Sequence, residues 1–388
     1  MHTAAKKATQ KKIAFKPKWK RSPEPNDQYI NSVAISGDGS TVIAGSYFFQ
    51  YAAGAKHSPA DAKLLTVGTF AWNAAGKSLW KDVFQATEGV YWVAISRDGK
   101  WAASCGRMGP AEGFVYIYNV GTGQRVFSHA TRVRVNMVAF SQDGSYLVAG
   151  ADATYLFSRT GLVWNPPQVL VPTAPHDSVV AVSISGDGQW IGNGTYKGSV
   201  NLIKNNNGNF GSTGSWKMPS GAIRWVAMSA DGSALAVAAS DSNLRYFATS
   251  HFAPSMNPTW LAPMTGCKDC RSVSISDDGL TISAVGNATG GGKLFLFSSQ
   301  TTSAKQLWSQ PTQHSPNSTS IDSTATFVTA ADGYPDGSPG DFYLFKADGT
   351  KVGSFKTGNM SWPMQLSSNG SGIAAGSDDS YIYYFAVK

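Results

Sequence analysis

One short pattern constrains this chain more than any other feature. The stretch VAISRDGKWAAS at residues 93–104 has near-copies beginning at Val33, Val138, Val182, Val226 and Val273. Weaker ones begin at Thr319 and Met364. Each copy reads as an apolar strand of the form V-A-I-S, a tight turn built on x-Asp-Gly-x, and a second apolar strand ending in Ala, Gly or Ser. Asp-Gly between alternating apolar runs is a hairpin signal, because such turns need a backbone that only Gly, Asn and Asp adopt at low cost. The turn markers are Asp38, Asp98, Asp143, Asp187, Asp231, Asp278, Thr324 and Asn369. They lie 44–47 residues apart after a first interval of 60 that residues 46–63 lengthen.

The remainder of each repeat follows the same grammar. A third, aromatic-rich segment appears as FVYIYN (114–119), NLRYFA (243–248), KLFLFS (293–298) and YIYYFA (381–386), and a fourth as KQLWSQ or KVGSFK. Four antiparallel strands per forty-five residues is the unit of a β-propeller. The expected fold is therefore all-β: an eight-bladed propeller of four-stranded antiparallel blades over residues 13–388, preceded by a basic, disordered tail at 1–12. The last repeat stops at its third strand. Ile13–Trp19 is expected to supply the missing one beside Tyr381–Ala386 and to close the ring, which removes the open sheet edges.

The S-x-D-G segments and their spacing resemble the WD40-like and quinoprotein-like β-propeller superfamily across residues 13–388. There are departures. No Trp-Asp pair ends a third strand and no Gly-His pair opens a repeat, so the Asp–His–Ser–Trp network of such blades is not expected. The complete tryptophan-docking pattern of quinoproteins is absent too, which counts against pyrroloquinoline quinone, and the cofactor is left unknown.

In a propeller the first strand of each repeat lies innermost, and its lead-in faces one mouth of the central channel. Counting seven residues back from each marker gives Asn31, Tyr91, Asn136, Val180, Arg224, Arg271, Asn317 and Trp362. These positions vary in type while the V-x-I positions after them barely do. Packing fixes the strand and leaves its lead-in free to be specific. The candidate ligand-binding residues are thus Asn31, Tyr91, Asn136, Arg224, Arg271, Asn317 and Trp362, with His176 and Asp177 from a neighbouring loop. Arg and Asn beside aromatics suit a small anionic or carbohydrate-like ligand; the alternative is that the arginines pair with Asp177, Asp269 or Glu88. Trp92 and Trp225, one position later, are read as packing between blades.

No hydrolase elbow, phosphate loop or paired-histidine metal motif is present, so no catalytic residue and no metal ligand is assigned. The leading functional reading is a non-enzymatic binding or scaffold propeller that takes a protein partner or a small anionic or carbohydrate-like ligand at the channel mouth. The alternative is a propeller-type enzyme (lyase, hydrolase or quinoprotein-like oxidoreductase) using His176, Asp177, Arg224, Arg271 and Tyr91. The formal charge is +8, with eight Lys or Arg and no acid in the first 21 residues. That basic segment keeps nucleic acid as a lesser possibility.

Cys267 and Cys270 flank two residues in one loop, and a local disulfide is the expected state, with free thiols and metal or redox roles as alternatives. With that pair, and a chain only 14% charged, the expected setting is periplasmic or extracellular, with cytoplasmic as the alternative. No signal peptide is visible and no apolar run is long enough to span a membrane.

Overall fold

A computed structural model describes residues 15–23, 28–48, 64–206, 209–300 and 302–387. The tail expected at 1–12 and all but the first three residues of the 46–63 insertion lie outside them. The described chain is almost entirely strand, arranged as four-strand repeats around an axis. In the fifth repeat, Ile223–Met228, Ala234–Ala239, Asn243–Ala248 and Trp260–Pro263 pair in sequence order from the axis outwards.

The backbone pairing forms seven sheets among the described residues, which corrects the expectation of eight separate four-stranded blades. The first two repeats share one eight-stranded sheet, because Tyr47, ending Thr41–Tyr47, pairs with Gly89 at the start of Gly89–Ile95. Phe48 N–H also donates to Glu88 O at 2.8 Å. Glycine makes this fusion possible. Gly89 has φ +105°, and a Cβ there would lie 2.8 Å from the Ser46 carbonyl oxygen. The third repeat also departs from four strands. Both Val163–Trp164 and Gln168–Pro172 pair with Ala153–Thr160, giving five.

Small residues in the second strands set how closely successive sheets approach. A Cβ on Gly192 would meet Leu235 at 2.3 Å, and one on Gly194 would meet Ile223 at 2.3 Å. Large apolar side chains of one sheet therefore seat in the backbone of the one before. The aromatic third strands pack outside this layer, as where Tyr246 stacks on Trp260 at 4.7 Å. Inner strands are too far apart to pair directly, and side chains join them. Ser32 Oγ accepts Val93 N–H, Ser183 Oγ accepts Met228 N–H, and Ser318 Oγ accepts Met364 N–H, at 2.8–3.1 Å. Small polar residues of the inner strands are thus bridges between repeats.

The ring is closed at its seam as the sequence suggests, by a strand slightly displaced along the chain. Trp19–Arg21 pairs antiparallel with Ile382–Ala386 in the register Trp19↔Tyr384 and Arg21↔Ile382. Trp19 is buried, stacks on Tyr384 at 5.5 Å, and donates its Nε1–H to Ala74 O at 3.2 Å. Phe15 stacks on Phe385 at 4.4 Å.

The Asp-Gly turns lie at the other end of the inner strands from the lead-in residues. Ser36 Oγ donates to Asp38 Oδ1 at 2.6 Å and accepts Thr41 N–H at 3.0 Å. The same pair recurs at Ser96–Asp98, Ser185–Asp187, Ser229–Asp231 and Ser276–Asp278. In the seventh repeat the roles are exchanged: Asp322 occupies the serine position and accepts Phe327 N–H at 2.6 Å, with Thr324 at the usual Asp position.

These turns also bond to one another around the axis. Gly37 N–H donates to Arg97 O, Arg97 to Gln142 O, Gln142 to Gly186 O, and Gly186 to Ala230 O. Asp231 then donates to Asp277 O, Asp277 to Ser323 O, Ser323 to Ser368 O, and Asn369 back to Gly37 O, all at 2.8–3.1 Å. The circuit is complete. Across it, the Arg97 guanidinium makes two hydrogen bonds, of 2.8 and 2.7 Å, to the Asp277 carboxylate four repeats away.

Candidate functional site at the channel mouth

The lead-in residues share a backbone peculiarity that explains their variability. Between the first and second strands the register slips at Asn31, Tyr91, Val180, Arg224 and Asn317, and across Trp362–Pro363. Each slip is a β-bulge: two residues of the inner strand face one of its partner, and the extra residue leaves the ladder. Asn136 and Arg271 sit just before their strands, and their backbone N–H groups donate to Gly150 O and Val285 O, at 2.8 Å each. A bulged residue has no fixed cross-strand neighbour to pack against. Its type is free, and its side chain is turned to the end of the sheet.

The structure brings seven of the sequence-predicted residues together. Asn31, Tyr91, Arg271, Asn317 and Trp362 line a cavity of about 870 Å³ at the mouth. Asn136 and Arg224 line an adjoining one of about 300 Å³ that shares Asn31, Tyr91, Asn317 and Trp362. His176 and Asp177 lie elsewhere. His176 is exposed with φ +60°. Asp177 lines a separate side cavity, and its Oδ1 accepts the N–H groups of Ser178 and Lys197 at 2.8 and 2.9 Å.

The three asparagines are clasps as well as lining. Asn31 Nδ2 donates to Tyr91 O at 3.0 Å, Asn136 Nδ2 to Val179 O at 2.8 Å, and Asn317 Nδ2 to Ser361 O at 2.8 Å. Each ties its lead-in to the next repeat. Charge at the mouth is distributed unevenly. Glu88 is buried and shared by Arg107 at 3.1 Å and Arg134 at 3.4 Å, while Arg134 lies 4.2 Å over the Tyr91 ring. Arg271 reaches Asp269 at 3.3 Å. Arg224 is exposed and has no ion pair or hydrogen bond among the described residues.

The floor of the mouth is aromatic. Trp92 and Trp225 meet edge to face at 5.0 Å from the second and fifth repeats. These repeats are not neighbours, so the contact crosses the bore, and the expectation that the two rings pack between adjacent blades is corrected. With Arg97–Asp277 at the far end, the channel is obstructed at two levels.

The same ruler run forwards reaches residues that the backward count missed. Nine positions after the markers come Tyr47, Asn287, Gly333 and Asp378, all lining the larger cavity, and Tyr196, lining the smaller. In a hairpin the end of the second strand lies beside the start of the first, so periodicity alone could have found them. Asp378 is the unusual member. Its Oδ1 is shielded and has no hydrogen-bond partner. Burial pushes its carboxyl up to about 7, against a hydrogen bond from the Trp362 side chain that lowers it.

The expected disulfide is not formed. Cys267 and Cys270 are free thiols, as is Cys105. Cys270 is turned into the apolar core with Met264 and Val273. Burial pushes the Cys267 thiol up to about 11, which keeps it protonated at neutral pH. Among the described residues no group of three or more His, Cys, Asp or Glu is placed to hold a metal, and no helix is long and apolar enough to cross a membrane.

Comparison with known folds agrees with this geometry. The repeat family described as WD domain, G-beta repeat (WD40) matches residues 121–155. Sqt1 from Chaetomium thermophilum, solved bound to the N-terminus of the ribosomal protein L10, superposes with TM-score 0.66 at 13% identity over 93% of this chain and 97% of that one. The fold is a WD40-like β-propeller. The propeller is also similar to the Cps50 (Swd1) β-propeller domain of Myceliophteria thermophila, with TM-score 0.58 at 13% identity over 77% of this chain and 96% of that one. A chain of the mitotic checkpoint complex matches with TM-score 0.56 at 12% identity over 100% and 96%. No curated protein matches the sequence. The periplasmic or extracellular setting expected from composition is overturned by these likenesses. Two of the similar structures are of complexes, one with a ribosomal protein and one of the mitotic checkpoint, and the cysteine pair that suggested an oxidising compartment is unbridged.

Proposed function

We propose that this propeller is a non-enzymatic scaffold that binds an extended segment of a protein partner across the channel mouth. One observation carries the reading. The bulged, non-repeating residues all surround one end of the bore, while the other end is framed by the repeating turns of the backbone circuit and crossed by the Arg97–Asp277 bridge. Specificity is thereby concentrated on one rigid face. The mouth offers what a peptide needs: the amide oxygens of Asn31 and Asn317 as acceptors, aromatic faces for its side chains, and an uncommitted guanidinium at Arg224. Sqt1, of similar fold, was solved with a protein N-terminus bound. The enzyme reading lacks a converging acid–base pair, since Asp177 is held by backbone N–H groups away from Arg224, Arg271 and Tyr91. An intracellular setting fits the proposal.

A displayed random-peptide library selected on the intact chain tests it. Enriched peptides should lose at least tenfold in affinity on Trp362→Ala combined with Arg224→Glu. They should bind Arg159→Ala normally, because Arg159 sits at the other end beside the Asp143–Gly144 turn. Equal binding to the mouth variant would refute the proposal.

A further inference from the structure

The larger mouth cavity contains a charge problem that a ligand can solve. Tyr29, Tyr47, Tyr91, Tyr334 and Trp362 give it an aromatic lining, and Asp378 brings a carboxyl oxygen without a partner. A desolvated carboxylate without a counter-charge is costly. No basic residue of the described chain pairs with it: Arg271 is engaged by Asp269, and Lys268, on the same lining, is exposed and makes no ion pair there. We propose that Asp378 anchors a protonated amine on an apolar stem, a lysine-type side chain, inserted into the aromatic part of the mouth. The inference rests on the reading of the mouth as a segment-binding face and names the residue class that face selects.

Three features favour an alkylammonium group. Tyr and Trp faces attract cations and cover an aliphatic stem. The neutral asparagines of the lining do not compete for the acid. At most one carboxyl oxygen is available to a ligand, since Oδ1 is shielded. A guanidinium fork is best matched by two oxygens, whereas an ammonium ion needs one.

Occupancy is coupled to protonation. The carboxyl titrates near 7, so below that pH an arriving cation must displace a proton, and affinity falls by about tenfold per unit. Four other ionisable side chains bear on the same region. Asp379 follows in the chain and accepts Tyr383 OH. Lys268 and Arg271 line the cavity. His314 packs 5.5 Å from the Tyr334 ring. Of these residue types only histidine changes charge near neutrality, so His314→Gln is the control.

The test titrates n-hexylammonium, n-hexylguanidinium and hexan-1-ol into the intact protein by calorimetry at pH 8 and pH 6. At pH 8 the ammonium ion should bind at least tenfold more tightly than the alcohol and more tightly than the guanidinium. At pH 6 its advantage should fall about tenfold. Asp378→Asn should remove the advantage while leaving alcohol binding and circular dichroism unchanged, and His314→Gln should keep the wild-type pH profile. Equal binding of amine and alcohol at pH 8, an advantage that survives Asp378→Asn, or a preference for guanidinium would overturn the assignment. Failure here, with selected peptides still lost on the Trp362 and Arg224 variant, sinks this inference alone. Peptides indifferent to that variant sink the segment-binding reading, whatever hexylammonium does.

Discussion

Replacing Trp19 with alanine attacks the propeller where it has least redundancy. Every other repeat keeps its strands together through continuous chain, whereas the last sheet borrows its outer strand from residues more than 360 positions away in sequence. That strand is only three residues long, and Trp19 is its sole buried member. A tryptophan buries roughly 150–250 Å², which at about 25 cal/mol per Å² gives a ceiling near 4–6 kcal/mol. Its indole hydrogen bond to Ala74 O adds about 1 kcal/mol. Alanine keeps part of the backbone packing, so the expected loss is about 3–5 kcal/mol, in line with aromatic-to-alanine changes in cores. Lys20→Ala is the comparison. Lys20 is exposed, its Nζ lies 4.0 Å from the Tyr381 ring centre, and its loss should cost no more than about 1 kcal/mol. Urea unfolding followed by circular dichroism gives the difference. Amide exchange at Ile382–Ala386 should accelerate in the Trp19 variant before the rest of the ring opens. A Trp19→Ala protein within 1 kcal/mol of wild type, with unchanged exchange along that strand, would refute the view that this residue holds the seam.

Four further outcomes follow from particular contacts. Asp378 binds its proton more tightly folded, near pH 7, than unfolded, near 3.8, so stability should decline as pH rises between those values. Asp378→Asn removes that slope and stabilises the protein at pH 8 by up to about 4 kcal/mol, measured as urea midpoints across pH. Glu88→Gln strands Arg107 and Arg134 beside a buried neutral amide and should cost about 3 kcal/mol in the same assay. Gly194→Ala drives a methyl into Ile223 and should destabilise by about 1–3 kcal/mol, seen as a lowered melting temperature. A double-mutant cycle on Arg97→Ala and Asp277→Ala should return a coupling of about 1–2 kcal/mol; additive single effects would mean the bridge contributes nothing.

The repeat made much of this architecture readable in advance. The turn spacing located inner strands, hairpins and seam, because identical packing between repeats forces identical residues. The lead-in residues were found by their failure to repeat, and the bulges show why: a residue outside the ladder is released from the packing rule. What escaped was context between distant repeats. Tyr47 and Gly89 fuse two repeats into one sheet, so the sheets number seven, and nothing local to VAISGDG or VAISRDG marks that bond. Trp92 and Trp225 look like blade packing in isolation and meet only because the ring folds back on itself. His176 and Asp177 have the chemical types of a site, but their loop places them off the mouth. The cysteine pair had disulfide spacing, but Cys270 is turned into the core.

The seam has a mechanical consequence. Because Trp19–Arg21 runs antiparallel to Ile382–Ala386, the chain on either side of the pair leaves from the same end. Tension applied between Lys18 and Val387 therefore peels the two strands apart one hydrogen bond at a time, starting at Lys18 N–H to Tyr384 O, and does not load the bonds together in shear. The join that completes the circle is thus one that a pull on its two flanks opens bond by bond, freeing the last sheet of its outer strand.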